Sequence, residues 1–196
     1  MRIRLPITPH IVTPIGFLGN FAAAVLIICL GAEAPRRLNY SLLTIAGALI
    51  IGFSLFDMLD GQVARIGNKV TRFGALYDSV LDRYSELCTL GAIAYYLVRV
   101  DNQWGAICTF FALVGSVMVS YIRARSEGLN VECKIGFMQR PERVVLTSLA
   151  VLATGITGEC NPDIDPNIIL LVVMAVIAVF ANITALSRLF YTKSRL

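Results

Sequence analysis

Residues Asp57 to Asp82 read DMLDGQVARIGNKVTRFGALYDSVLD. Four aspartates stand in two pairs, Asp57 with Asp60 and Asp78 with Asp82. The spacings are i,i+3 and i,i+4, so on helices each pair projects from one face. The first pair closes an apolar run and the second opens another. Two carboxylate pairs at facing helix ends make an oxygen-rich cage suited to Mg²⁺, Mn²⁺ or Ca²⁺. Gly61, Ala64 and Gly74 lie between them, small enough to let a ligand approach the backbone. Arg65, Lys69 and Arg72 supply positive charge for phosphate. Lys69 and Arg72 also read as simple anchors at a membrane edge.

The rest of the chain places this stretch in a membrane. Hydrophobic residues make up 57% of the 196 and charged residues 15%, with a mean hydropathy of +0.72. A soluble domain is nearer half apolar and a quarter charged. The length suits one domain over 1–196. A net charge of +4 raises the question of nucleic acid, but the cations flank apolar runs. A lipid surface or phosphorylated substrates explain them better, and no nucleic-acid partner is expected. Cys29, Cys88, Cys108, Cys133 and Cys160 are dispersed with no CxxC pair, which argues against a disulfide framework or a zinc site. No small-residue cleavage site follows the first apolar run, so a cleavable leader is not expected.

Crossing a bilayer core of about 30 Å takes roughly 20 mostly apolar residues. Six such runs are expected near 14–31, 40–59, 76–98, 104–122, 143–158 and 167–187. The predicted fold is therefore an all-α integral membrane protein with six transmembrane helices. A short interfacial segment, Arg2 to His10, precedes them. Charge sets the orientation. With the N-terminus inside, only Arg36, Arg37 and Arg99 of the 17 lysines and arginines fall outside. That bias puts the aspartates at the cytoplasmic edge of a cell membrane.

The stretch resembles the signature of the CDP-alcohol phosphotransferases, D-x2-D-G-x2-A-R-x8-G-x3-D-x3-D. Asp57, Asp60, Gly61, Ala64, Arg65, Gly74, Asp78 and Asp82 match every fixed position with every gap correct. The resemblance implies that an alcohol attacks the β-phosphorus of a CDP-linked lipid such as CDP-diacylglycerol, with CMP leaving. By position, Asp57, Asp60, Asp78 and Asp82 are implied ligands of Mg²⁺ or Mn²⁺. Asp82 is also the implied general base on the acceptor hydroxyl. Crowded carboxylates raise its pKa and bound metal lowers it. Gly61 and Ala64 are implied to floor the cytidine site, with Gly74 in the same binding set. Arg65 pairs with a phosphate or with one of the aspartates, and Thr71 is similar to a hydroxyl contact in family members. His10-Ile-Val-Thr13 is similar to the family's N-x-x-T motif, with His10 in place of asparagine and Thr13 kept as a lipid-nucleotide contact. The family also implies a homodimer through transmembrane helices.

A second stretch, Tyr121 to Arg143, holds Arg123, Arg125, Lys134, Arg140 and Arg143. RPER sets Arg140 and Arg143 i,i+3 at the start of a span, where a helix N-terminus favours anions. YIRARSEGL…GF…RPER and the DSVLDR form of the second aspartate pair resemble the inositol-phosphate branch of the family. The expected acceptor is inositol 1-phosphate, held by Lys134, Arg140, Arg143 and, from the last span, Arg188. Glycerol-phosphate and other alcohol branches are the alternative. Glu86, one turn beyond Asp82, is expected to bond to a neighbouring helix or to Arg83. A cation transporter is the competing class, but its acids belong near the bilayer midplane on several spans. Here all four sit at one edge beside arginines.

Overall fold

In the computed structural model, described residues are 9–34, 39–66, 71–161 and 163–196, with side chains described for 14–34, 39–56, 71–161 and 163–196. The expected interfacial segment falls almost wholly outside them, as do the side chains of His10 and Thr13. The described residues form six helices: α1 Pro9–Glu33, α2 Tyr40–Ile66, α3 Arg72–Arg99, α4 Gln103–Glu127, α5 Arg140–Cys160 and α6 Asn167–Lys193. Each apolar run of the sequence lies within one of them.

Several helices run past the apolar stretch that marks them. α2 continues through Asp57, Asp60 and Gly61 to Ile66. α3 starts six residues before Asp78, because the Thr71 side chain caps it by accepting from Gly74 N at 2.9 Å. Pro141 stands in the first turn of α5. There the missing N–H has no helical partner to lose.

Among the described residues, four helices are long and apolar enough to cross a membrane: Pro14–Glu33 of α1, then α4, α5 and α6. α2 contributes a shorter apolar part, Tyr40–Phe56. α3 is as long, but it carries Asp78, Asp82, Arg83 and Glu86. Two of the six expected spans are thus not among the four, α2 because its side chains beyond Phe56 lie outside the described set and α3 because of its charges.

The helices close into a ring. Around it the packed neighbours run α1, α2, α5, α6, α4, α3 and back to α1. Small residues permit the close approaches, as between α2 and α5, where Gly47 lies against Leu152 and Gly155 against Thr44. One end of the ring interior is filled by Ile27, Leu30, Leu43, Ile93, Leu97, Leu170, Met174 and Ile177, all fully buried. At that end Tyr96 Oη donates to Asn167 Oδ1 at 2.8 Å. Arg99 donates to the Gly31 and Ala34 carbonyls at the end of α1, which helix C-termini favour. Outside the ring, Leu18, Phe110, Val179, Phe180 and Leu186 stand exposed. So much outward apolar surface suits contact with hydrocarbon rather than water.

Candidate functional site

The other end of the ring is polar. Asp57 and Asp60 lie in the last turns of α2, with side chains outside the described set. Five residues later than Ile66, Thr71 opens α3, so both helix ends reach the same end of the ring. Asp78 and Asp82 follow one turn apart and half-buried on α3. The predicted two pairs are therefore carried on the facing ends of consecutive helices. Gly61, Ala64 and Arg65 belong to the same last turns of α2. Thr71 and Gly74 are bonded to each other in the cap of α3.

Across the ring stands the N-terminus of α5. Arg140 Nη2 meets Asp82 Oδ1 at 2.6 Å. Arg143 is 2% exposed, and its guanidinium forks onto Glu86, Nε to Oε1 at 2.6 Å and Nη2 to Oε2 at 3.0 Å. Its Nη1 donates to the Met138 carbonyl at 3.0 Å. Asp82, Glu86, Arg140 and Arg143 line one cleft with Asn20, Ser54, Ser85, Thr89 and Thr147. Ile50, Leu90 and Val144 complete the lining, so the charged groups sit against apolar walls. The expected Glu86–Arg83 contact does not form. Arg83 instead turns back one helical turn, donating from Nη1 to the Ser79 carbonyl and hydroxyl.

The predicted acceptor cations divide into two kinds. Lys134 is exposed on the α4–α5 loop and pairs with Glu132, whose carboxyl is held below its usual range by that ammonium. Arg140 faces the cleft. Arg143 and Arg188 are buried. Arg188 donates from Nε to the Ile135 carbonyl and from Nη1 to the Val119 carbonyl, both at 2.8 Å. It thereby ties α6 to α4 and to the loop that carries Lys134. In that loop Gly136 adopts a φ of 107° against the Thr184 methyl, a conformation that only glycine takes without strain. The sequence treats all four cations alike; in the fold Lys134 is exposed, Arg140 half-buried, and Arg143 and Arg188 buried.

Carboxylate oxygens are the ligands a hard divalent cation prefers, so the aspartates of α2 and α3 fit one by their chemistry. Among the described side chains, no three acids, histidines or cysteines gather to hold one. The described acids of the set, Asp78 and Asp82, are one turn apart on one face of α3. The five cysteines are all free.

Fold and site together define an all-helical protein of membrane-length helices with a charged cleft at one end. The chain belongs to the CDP-alcohol phosphatidyltransferase family, whose model matches residues 7–186. One curated relative is the phosphatidylinositol phosphate synthase of Mycobacterium marinum, 33% identical over 146 residues. That match covers 74% of this chain and 58% of the relative's length. Another is the archaetidylinositol phosphate synthase of Pyrococcus horikoshii, 33% identical over 194 residues, covering 98% of this chain and 87% of the relative. The fold is similar to the crystal structure of Mycobacterium tuberculosis phosphatidylinositol phosphate synthase with CDP-DAG bound, with a TM-score of 0.79 and 29% identity. That likeness covers 97% of this chain and 88% of the other. The same enzyme crystallised with manganese and citrate has a TM-score of 0.79 at 30% identity, covering 97% and 84%.

Proposed function

We propose that this protein transfers a phosphatidyl-type group from CDP-diacylglycerol, or an ether-linked counterpart, to a hydroxyl of inositol 1-phosphate, releasing CMP. The observation that carries this reading is the placement of the signature aspartates and the α5 arginines at one end of the helix ring, with Asp82 against Arg140. Family membership and relatives of the inositol-phosphate branch support it.

The chemistry follows from the residues. Asp82 accepts the proton of the attacking acceptor hydroxyl, and Arg140 beside it holds the acceptor's phosphate. Lys134, exposed on the neighbouring loop, adds charge at the entrance. Arg143, in the same cleft, and Arg188, from the last helix, complete the cation set for that phosphate. Arg65 stands within the same helix end as the first aspartate pair, suited to the pyrophosphate of the CDP-lipid. Gly61 and Ala64 are small enough to admit the cytidine, and Thr13 is assigned to the lipid-nucleotide by its motif. Thr71 and Gly74 hold the start of α3, and so the height of Asp78 and Asp82, through their cap. Asp57, Asp60, Asp78 and Asp82 would hold Mg²⁺ or Mn²⁺, which neutralises charge on the pyrophosphate and on the departing oxygen. Manganese in the related crystal fits this assignment.

In this reading residues 1–196 are one domain and all six helices span the membrane, α2 and α3 carrying their charges at its edge. The positive-inside bias puts that edge on the cytoplasmic side of the cell membrane, where soluble phosphates are available. Two copies associate through transmembrane helices. Transfer of label from CDP-diacylglycerol to inositol 1-phosphate by the purified protein tests the reading. Equal use of glycerol 3-phosphate would favour the glycerol-phosphate branch instead.

A further inference from the structure

We propose that Asn20 determines acceptor specificity: with Ser85, Thr89 and Thr147 it forms a neutral wall that binds ring hydroxyls of a phosphorylated polyol. The choice of a polyol rests on the proposed transfer reaction.

Three helices supply the wall. Asn20 comes from α1, Ser85 and Thr89 from α3, and Thr147 from α5, and all four line the cleft that holds Asp82. On α3, Asp82, Ser85 and Thr89 recur at i, i+3 and i+7, and on α5 so do Arg140, Arg143 and Thr147. Each set therefore shares one stripe of its helix. In both, the charged members stand nearer the helix start, so the neutral ones lie deeper in the ring. α1 reaches this depth by a close approach to α2. The Phe53 ring lies where a Cβ on Gly19 would stand, and Asn20 follows directly.

These groups are buried and held open. Asn20 is 6% exposed, and its Oδ1 accepts no hydrogen bond. Asparagines elsewhere in the ring are matched. Asn167 Oδ1 accepts from Tyr96, and Asn182 donates to the Phe111 and Ala178 carbonyls. Ser85, Thr89 and Thr147 are as buried as Asn20, and among the described residues their hydroxyls have no partner. Thr109, Ser126 and Thr154 instead turn back onto the carbonyl one helical turn earlier, the usual resting place of a hydroxyl inside a helix. Buried polar groups without partners cost stability. Four of them gathered in one cleft suit a ligand that brings its own hydroxyls.

The chemistry of the wall selects that ligand. Each serine or threonine hydroxyl can donate once and accept, and the asparagine carbonyl accepts. Such groups match neutral hydroxyls, whereas the acceptor's anion belongs with the arginines nearer the helix starts. The enclosed space is about 30 Å³, room for about two water-sized groups at roughly 10–15 Å³ each. It admits hydroxyls on the far edge of a ring rather than the whole alcohol. Glycerol 3-phosphate, once its phosphate and its attacking hydroxyl are placed, has a single hydroxyl left to offer. An inositol ring keeps several. A site built to bond hydroxyls rejects an alcohol that lacks them, because its own buried groups then stay unpaired.

Titration calorimetry on the full-length protein in detergent, without CDP-lipid, tests the wall. Inositol 1-phosphate should bind wild type more tightly than glycerol 3-phosphate does. Asn20→Leu keeps the side chain's bulk and removes the amide. It should weaken inositol 1-phosphate about fivefold to tenfold, the loss of one neutral hydrogen bond, and leave glycerol 3-phosphate unchanged. Thr89→Val should show the same selective loss, and it carries the comparison if Asn20→Leu does not fold. Equal losses for the two ligands, or no loss for inositol 1-phosphate, would overturn the inference. Wild type that binds neither alcohol overturns it together with the proposed acceptor. Inositol 1-phosphate that binds through the wall but never receives the lipid group overturns the transfer reading alone.

Discussion

Asp82 Oδ1 and Arg140 Nη2 lie 2.6 Å apart, joining α3 to α5 across the interior of the helix ring. The proposed base and the proposed phosphate-binding cation are thus neighbours. One acceptor molecule can offer its hydroxyl to the first and its phosphate to the second. Before it arrives, the two neutralise each other in a site where a lone charge is costly. An entering phosphate exchanges with the carboxylate for Arg140 and releases Asp82 for its proton.

Arg140→Ala should therefore act on the acceptor. Its KM should rise about 10–100-fold, since a hydrogen bond to a charged group contributes about 1.5–3 kcal/mol. Arg140→Lys should rescue in part, because a point charge replaces the fork. Steady-state kinetics with each substrate varied in turn checks this. An effect confined to the CDP-lipid would assign Arg140 to the wrong substrate.

The four aspartates should separate by role. Asp82→Asn should cut kcat by about 10²–10⁴-fold, the usual worth of a general base, while CDP-lipid binding persists. Asp60→Asn should weaken that binding far more, and Asp57→Asn or Asp78→Asn should abolish turnover. Equilibrium binding of labelled CDP-lipid distinguishes the two classes. Equal loss of binding in Asp82→Asn and Asp60→Asn would make Asp82 chiefly a ligand.

Acceptor choice follows from the cations. Inositol 1-phosphate should be used well and free inositol poorly, since a charge-assisted bond is roughly twice as strong as a neutral one. Glycerol 3-phosphate brings the same anion without the ring. Competition assays with the three alcohols read the order directly. If glycerol 3-phosphate equals inositol phosphate, Arg140 and Lys134 are a general phosphate clamp. Preference for free inositol or serine would remove the phosphate site altogether.

Topology has its own check. Single cysteines at 66–72 and 128–138 should react with an impermeant reagent from the cytoplasmic side, and those at 160–165 only from the other. Labelling of both groups from one side would refute six crossings.

The ring was legible in part. Apolar runs located all six helices, because a spanning segment is a local property of the sequence. Helix ends were less legible: the charged turns of α2 beyond Asp57 and of α3 before Asp78 carry no apolar signal. The acid side of the proposed site is a local motif, readable from spacing and family resemblance. The cation side needed the fold. Arg140, Arg143 and Arg188 look equivalent in sequence, and only the fold shows that Arg143 and Arg188 are buried while Arg140 is half-buried. The Glu86–Arg143 ion pair joins residues 57 apart in sequence. Its local trace is one helical turn on each side, from Asp82 to Glu86 and from Arg140 to Arg143.

The most direct measurement is transfer of radiolabel from CDP-diacylglycerol to inositol 1-phosphate by the purified protein, with EDTA and then with Mg²⁺ or Mn²⁺ restored. Labelled phosphatidylinositol phosphate and CMP should form together, stop in EDTA and resume with either metal. Full turnover in chelator would contradict the assignment of the four aspartates to a metal, and no labelled lipid with any alcohol would contradict the transfer itself.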